Sequence, residues 1–245
     1  MPAGYDGGYD LSLSNPCLPS CGGPSMSTTL HSYWRSSCSY RVRIVLALKG
    51  IPYATAPVHL VRGGGEQLGE PYRALNPSRR VPTLEIDGLT LVQSPAIIEY
   101  LEETRPEPAL LPREPAARAH VRALCAVVGC DIQPLGNLCV LKRVAGAPPE
   151  GASPEERAAA RDAWARHWIA EGFAALEALL ARSAGRFCVG DEVTLADAYL
   201  EPQGYNAARF GVDMAPFPTV ARVLANLAAH PAVRAAHPSA QPDAE

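Results

Sequence analysis

The 245-residue sequence lacks several features that define large classes of protein. No uncharged apolar run approaches the roughly 18 residues that a membrane-spanning helix needs. The formal net charge is only -3 at pH 7, so no basic surplus indicates a nucleic-acid partner. A hydrophobic content of 47% is too high for a disordered chain and allows a substantial core. Composition therefore favours a globular protein that binds neither membrane nor nucleic acid.

The seven cysteines include no Cys-x-x-Cys pair, and an odd number does not suit a disulfide framework. This usage predicts a reducing compartment, which we take to be the cytoplasm. The six histidines are scattered without the paired spacing of a zinc site. We therefore expect no bound metal.

Residues 1–27 differ in composition from the rest of the chain. They are rich in Gly, Ser and Pro and show no amphipathic period, which predicts a flexible tail. The first basic residue is Arg35, so neither a secretory signal nor a transit peptide is favoured. Cys17 and Cys21 in this tail are either a redox pair or, as we favour, two unstructured thiols.

Residues 28–108 alternate between strand and helix patterns, in the order β-α-β-α-β-β-α. A short strand is predicted over 29–34, followed by a helix over 40–49. Two later strands flank Asp87-Gly88, a strong hairpin dipeptide. Ser94 is expected to cap a helix that runs through Glu103, with Pro95 at its first position. This half is predicted to be an α/β sheet with a terminal hairpin.

Beyond a Pro-punctuated linker at 106–114, no strand pattern remains. Helical spacing of apolar residues covers 115–145, where Pro134 should introduce a kink, and it returns over 156–182 and 217–229. Thr194 and Asp197 form a capping-box pattern before a further helix. The loop 145–157 separates two of these helices. The second half is predicted to be an all-α bundle.

The segment Arg35-Ser36-Ser37-Cys38-Ser39-Tyr40-Arg41 lies where the first strand passes into the first helix. Ligands of open α/β sheets bind there, and a helix N-terminus favours an anion such as a thiolate. Two hydroxyls and a thiol are then available to donate hydrogen bonds to it. Plain helix capping by Ser explains the segment equally well without a ligand.

Two further dipeptides have the same double meaning. Val81-Pro82 precedes a strand, so its peptide bond is either cis, presenting the Val81 backbone to a bound peptide, or an ordinary start of an edge strand. Gln93-Ser94 suits a ligand carboxylate at a helix N-terminus, or simple N-capping.

Taken together, these elements occur in an order typical of one known family. The segments are SSCSYRVRIVLALKGIPY, LNPSRRVPTL, QSPAIIEYLEET, CDIQPLGNL and GDEVTLADA. Over residues 28 to about 240 the chain resembles the zeta class of glutathione transferases, for which Ser-Ser-Cys followed by Arg-Val-Arg is a specific marker. The resemblance implies the glutathione transferase fold: a thioredoxin-like domain at 28–108 and an all-α domain at 115–240. It also implies glutathione as cofactor and a homodimer.

The resemblance implies a site as well. It places the hydroxyls of Ser36 and Ser37 at the glutathione sulfur, with Cys38 close by, as the catalytic set. The residues implied to bind glutathione are Ser36, Ser37, Cys38, Ser39, Tyr40, Arg41, Gln67, Val81, Gln93, Ser94, Gln133, Asn137 and Cys139. Arg209 and Arg41 are the implied receptors of a substrate carboxylate.

The implied activity is glutathione-dependent cis–trans isomerisation of maleylacetoacetate, a small acidic substrate, with a side activity on small α-halo acids. Maleylpyruvate is an alternative acceptor. Three departures from the family pattern stand out: Cys139 replaces a frequent Ser, Pro95 replaces the usual Leu, and the loop 145–157 looks longer.

Two other functions remain open at the level of sequence. Cys38 lies at a helix N-terminus, where thiols are often acidic, so a glutathione-dependent thiol reductase is one alternative. In such enzymes the nucleophilic cysteine usually stands where Ser36 does. Because transferase-like folds also serve as docking domains, a non-catalytic interaction module is the other.

Overall fold

A computed structural model of the chain describes residues 28–147 and 149–245. The predicted tail, with Cys17 and Cys21, lies outside the described residues. Among the helices of the described residues, none is both long enough and apolar enough to cross a membrane.

The first half contains the predicted order of elements around one four-stranded sheet. The elements are β1 (Thr29–Ser32), α1 (Ser37–Leu48), β2 (Ala54–Pro57), α2 (Glu70–Leu75), β3 (Thr83–Ile86), β4 (Leu89–Val92) and α3 (Ser94–Thr104). The strands lie in the order β2-β1-β3-β4, with β1 and β2 parallel and the other pairs antiparallel. Two short 3₁₀ turns, Arg62–Gly64 and Glu66–Leu68, precede α2.

The β3–β4 turn confirms the predicted hairpin. Asp87 and Gly88 have φ angles of 53° and 79°, the positive pair that a two-residue turn with the twist of its flanking strands requires. The first strand is shorter than predicted, because β1 ends at Ser32 and the chain then turns, with the Ser36 N–H donating to the Tyr33 carbonyl at 2.9 Å.

The second half is all-α, as predicted. Its helices are α4 (Pro115–Ala126), α5 (Leu138–Ala145), α6 (Pro154–Leu180), α7 (Leu195–Phe210), α8 (Pro218–Ala228) and α9 (Pro231–Ala236). A π-helical turn, Val127–Ile132, follows α4 directly, and a 3₁₀ turn, Pro238–Ala240, follows α9.

The prediction of one kinked helix over 115–145 is wrong. The chain widens into the π-helical turn and then breaks at 133–136, where Pro134 has no N–H for a helical hydrogen bond. A new helix begins after Asn137, whose side-chain oxygen accepts the Cys139 N–H at 3.2 Å. The break therefore separates α4 from α5.

Two capping boxes set the starts of the longest helices. Ser153 and Glu156 form one, so α6 begins at Pro154 and the preceding loop is shorter than the predicted 145–157. The predicted box at Thr194 is confirmed: the Asp197 carboxylate accepts the Thr194 N–H at 2.8 Å and also the Cys188 N–H at 2.9 Å. Asp197 therefore fixes both α7 and the turn before it.

One hydrophobic core runs through both halves. It extends from Leu30 on β1, through Ile44 on α1, to Val121 on α4 and Phe173 on α6. Helix α1 packs against α3, α7 and α9, so its N-terminus is held between the sheet and the helical half. The boundary between domains at 108 and 115 stays a prediction.

Candidate functional site

A cavity of about 320 Å³ opens between the sheet half and the helical half. It is bounded by the N-terminus of α1, the segment 60–68, the turn before β3, and residues of α5 and α7. Of the predicted site residues, the ones that line it are Ser36, Ser37, Cys38, Gln67, Val81, Gln133, Asn137, Cys139 and Arg209. Residues from widely separated parts of the sequence thus meet in one place.

Ser36 stands at the N-cap of α1 and points a hydroxyl toward this space. Its Oγ accepts the Ser39 N–H at 3.2 Å, which uses an oxygen lone pair and leaves the hydroxyl proton available to donate. The backbone N–H groups of Ser37 and Cys38 have no acceptor among the described residues. This end of α1 therefore offers several donors to an anion in the cavity.

Arg43 holds the turn that delivers Ser36. Its fully buried guanidinium donates to the Ser32 hydroxyl at 3.2 Å, the carbonyl of Trp34 at 2.9 Å and that of Ala236 at 3.0 Å. Burial lowers the pKa of Arg43 to about 10, so the side chain is still charged at neutral pH. The turn between β1 and α1 is thereby fastened to α9. Arg43 belongs to the Arg-Val-Arg motif, but its spacing in the sequence does not predict these hydrogen bonds.

Val81 and Gln67 form the wall that the sheet half contributes to the cavity. The Val81–Pro82 peptide bond is cis, as the first of the two interpretations of this dipeptide requires, and the binding of a peptide by the Val81 backbone stays a prediction. Gln67 is only 7% exposed, and its Oε1 has no hydrogen-bond partner among the described residues. A buried amide oxygen without a donor is costly, so this wall lacks a partner that a bound ligand can provide.

Arg80 bridges the sheet half to the helical half across the cavity. Its Nη1 donates to Asn137 Oδ1 at 2.6 Å, and the same nitrogen lies 3.3 Å from Cys139 Sγ. Asn137 and Cys139 were predicted for this wall, whereas Arg80 was missed. Its place in LNPSRRVPTL, directly before Val81, was the available signal.

Five cationic side chains line the cavity: Arg35, Arg79, Arg80, Lys142 and Arg209. No aspartate or glutamate lines it within the described residues. Partial burial lowers the pKa of Arg209, and so does repulsion from the nearby charges of Arg35 and Arg161. Such a lining favours a ligand that carries several carboxylates. Arg35 was missed as a binding residue, although it directly precedes the predicted Ser-Ser-Cys set.

Three of the predicted site residues do not line the cavity. Ser39, Tyr40 and Arg41 are all buried in the packing of α1 and do not line the cavity. The Tyr40 hydroxyl donates to Glu201 at 3.4 Å, and the Arg41 guanidinium lies over the Tyr199 ring at 4.2 Å. Packing against α7 takes the Arg41 side chain inward, so the geometry gives no support to direct binding of glutathione or of a substrate carboxylate by Arg41, and that role stays a prediction.

Gln93 and Ser94 lie at the start of α3, outside the cavity lining. Ser94 is the first helical residue and not the predicted cap, since the flanking position belongs to Gln93, with a φ of 68°. The Gln93 side chain makes no capping hydrogen bond. The predicted role of both residues in ligand binding stays a prediction.

Comparison with known proteins agrees with this geometry. Residues 35–104 match the family model for the glutathione S-transferase N-terminal domain. The maleylacetoacetate isomerase of Rattus norvegicus is 50% identical over 214 residues, which are 87% of this chain and 94% of that protein.

Solved structures show the same likeness. A bacterial maleylpyruvate isomerase, described as a zeta-class glutathione transferase in its holo form, superimposes with a TM-score of 0.83 at 46% identity, covering 89% of this chain and 100% of that one. The maleylacetoacetate isomerase of Anaeromyxobacter dehalogenans with bound glutathione gives a TM-score of 0.78 at 48% identity, covering 90% and 99%. The chain therefore belongs to the zeta class of glutathione transferases, the family of the maleylacetoacetate isomerases.

Proposed function

We propose that this chain is a glutathione-dependent cis–trans isomerase that acts on maleylacetoacetate, in the breakdown of tyrosine and phenylalanine. One observation carries the proposal: the serine-capped N-terminus of α1 lies at a cavity that, among the residues the structure describes, is lined by five cationic side chains and no acidic one. A helix end suits a thiolate, and the cations suit a substrate with two carboxylates.

The residues present fit glutathione. A tripeptide carries backbone N–H groups, one of which is able to satisfy the orphaned Oε1 of Gln67. Its two carboxylates suit the excess of positive charge, and the backbone of Val81, which lines the cavity, supports binding of an extended peptide. We infer that Gln67, Val81, Asn137 and Cys139 hold the tripeptide, with Gln93 and Ser94 taking its γ-glutamyl end.

Bound glutathione supplies a thiolate nucleophile that adds reversibly to a conjugated cis double bond and so permits rotation. The chain's part is to keep that sulfur ionised. Lowering a thiol pKa from about 8.5 by about two units takes about 2.7 kcal/mol. One hydroxyl hydrogen bond to a charged group gives about 1.5–3 kcal/mol, and a helix end about 0.3–1. We assign the hydroxyl to Ser36, with Ser37 and Cys38 beside it.

Arg35 and Arg209 are proposed to receive the substrate carboxylates. The two guanidiniums influence each other and have no carboxylate partner among the described residues. When a dianionic substrate binds, attraction to its carboxylates replaces the repulsion between the two guanidiniums. This binding positions the substrate's double bond at the glutathione sulfur. The same recognition of thiolate and carboxylate suits displacement of halide from small α-halo acids as a side activity.

We further propose that the enzyme works as a homodimer in the cytoplasm. The five cysteines among the described residues are all unpaired, which suits a reducing compartment. Sedimentation of the purified chain tests the dimer directly, and a monomeric mass at working concentration contradicts it.

The activity is tested by offering maleylacetoacetate and maleylpyruvate, each with and without glutathione, and following loss of the conjugated chromophore. We expect isomerisation only when glutathione is present, and faster turnover of maleylacetoacetate. Turnover without glutathione contradicts the mechanism, and a preference for maleylpyruvate reassigns the substrate.

A further inference from the structure

The two arginines of the Arg-Val-Arg motif have opposite surroundings. Arg43 donates hydrogen bonds to several carbonyl and hydroxyl oxygens. Arg41 is equally buried, at 2% exposure, but its Nε and Nη2 have no hydrogen-bond partner among the described residues. Its guanidinium instead stacks on Tyr199 at 4.2 Å from the ring centroid. Burying a guanidinium with two unsatisfied nitrogen donors costs stability, so Arg41 does not stabilise the fold in the way that Arg43 does.

The groups around Arg41 do not neutralise it. On α7, burial raises the pKa of Tyr199 to about 12, and on α4, burial raises that of Cys125 to about 12, so both stay uncharged at neutral pH. The Asp197 carboxylate is taken up by the N–H groups of Thr194 and Cys188. On α3, Glu99 pairs with Arg122 at 2.7 Å. No carboxylate among the described residues forms an ion pair with Arg41, so its charge has no counterion in contact with it.

Arg41 lies directly behind the donors at the start of α1. Three and four residues separate it from Cys38 and Ser37, which places all three on one face of the helix. Cys38 is close enough to Tyr199 to contribute to the pKa of that ring hydroxyl. Gly129 on the π-helical turn closes the stack, because a Cβ there would lie 3.3 Å from the Tyr199 ring and 3.7 Å from Arg41 Nη1. The guanidinium is thus fixed in place.

We propose that Arg41 is a positioning residue whose buried charge, with no carboxylate in contact, favours the ionised sulfur of glutathione at the N-terminus of α1, without touching it. The inference rests on the proposed function. A charge in a poorly hydrated interior acts over a longer distance than one in water, because the surroundings screen it less. Arg35, Arg80 and Arg209, which line the cavity, add to the same field from the solvent side and are screened more strongly.

The test is Arg41→Met, compared with Arg41→Lys and with Arg182→Met, which removes a charge from an exposed arginine far along the chain. The readout is the ultraviolet absorbance of the thiolate of enzyme-bound glutathione as a function of pH, with the pH profile of kcat/KM beside it. For Arg41→Met we expect the pKa of the bound thiol to rise by about one unit, and the activity to fall about tenfold near neutral pH while recovering at high pH. Arg41→Lys should shift the pKa less, and Arg182→Met should not shift it.

Thermal unfolding supplies a second readout. If Arg41 lacks compensating partners, replacing it by an apolar side chain of similar length should leave the midpoint unchanged or raise it. An unfolded Arg41→Met variant, or an unshifted pKa in a folded one, overturns the inference. If the wild-type chain binds no glutathione, or binds it with an ordinary thiol pKa, it is the proposed function that fails.

Discussion

Lys49 Nζ lies 2.7 Å from Glu102 Oε2, and both side chains are almost completely buried, at 0% and 7% exposure. The ammonium also donates to the carbonyl of Arg105 at 2.6 Å, while the Glu102 carboxylate accepts the N–H groups of Leu110 and Leu111 at 3.0 Å each. This pair ties the end of α1 to α3 and to the linker between the two halves.

Removing one partner of this pair should destabilise the whole chain. We expect Glu102→Gln to lower the free energy of unfolding by about 3 kcal/mol, because it leaves the Lys49 charge buried without its counterion. Urea denaturation measures this change. Glu103→Gln, at an exposed neighbouring position, serves as control and should change little. Equal midpoints for the two variants contradict the assignment.

The serine that caps α1 should matter more than the adjacent cysteine. Ser36→Ala removes the proposed hydroxyl donor to the sulfur, so we expect turnover at saturating glutathione to fall by about 10- to 100-fold. Cys38→Ala should retain most activity. If Ser36→Ala turns over as fast as wild type, Ser36 has no part in the reaction.

Cys38→Ala also separates the isomerase from a thiol reductase. A reductase that uses Cys38 loses all activity in this variant, and in wild type it forms a mixed disulfide between Cys38 and glutathione. Intact mass after turnover detects that adduct. We expect none.

The guanidiniums of Arg35 and Arg209 should determine the affinity for the dicarboxylate substrate. Arg209→Met is expected to reduce kcat/KM for maleylacetoacetate by about 10- to 100-fold, since a hydrogen-bonded charge on the carboxylate is lost. Arg209→Lys keeps the charge but cannot form the bidentate hydrogen bonds of a guanidinium, so its reduction in kcat/KM should be smaller than that of Arg209→Met. The KM for glutathione should be unaffected in both. A rise in the KM for glutathione in these variants would instead assign Arg209 to the glutathione-binding site.

Glu201 should make stability depend on pH. Burial raises its pKa to about 7, while the hydrogen bond from Tyr40 lowers it less strongly. Because the folded state holds the proton more tightly than the unfolded state, Glu201 costs nothing below the ordinary carboxyl pKa and destabilises the fold increasingly as the pH rises toward about 7.

Glu201→Gln removes that dependence, since the amide stays neutral. We expect the variant to unfold at a higher temperature than wild type at pH 8 and at a similar one near pH 3.5, where the carboxyl is largely protonated in both states. Thermal unfolding monitored by circular dichroism makes the comparison. A constant difference between the two proteins across this range contradicts a titrating Glu201.

Local chemistry explains which elements were predictable from sequence. The Asp87-Gly88 hairpin and the Thr194–Asp197 capping box are decided by residues a few positions apart, and both are present. The sequence predicts a kink at Pro134 where the structure has a break, because the π-helical turn before it has no strong sequence pattern. That turn packs against α6, where Gly172 leaves room for Ile132: a Cβ would come within 2.1 Å.

Side-chain direction explains what the sequence could not give for the site. Arg35 and Arg41 flank the Ser-Ser-Cys set, but only Arg35 lines the cavity, since Arg41 faces α7 and stacks on Tyr199. Arg80 enters the site by reaching Asn137 across the two halves.

The sequence by itself determined the order of strands and helices in the first half, the Asp87-Gly88 turn, the Thr194–Asp197 cap and the family, because these depend on short-range patterns and on motifs that stay in order along the chain. Only the tertiary structure decided which of the arginines reach the cavity and which are enclosed in the core. Packing between distant segments sets where a long side chain points, and spacing along the chain does not encode it.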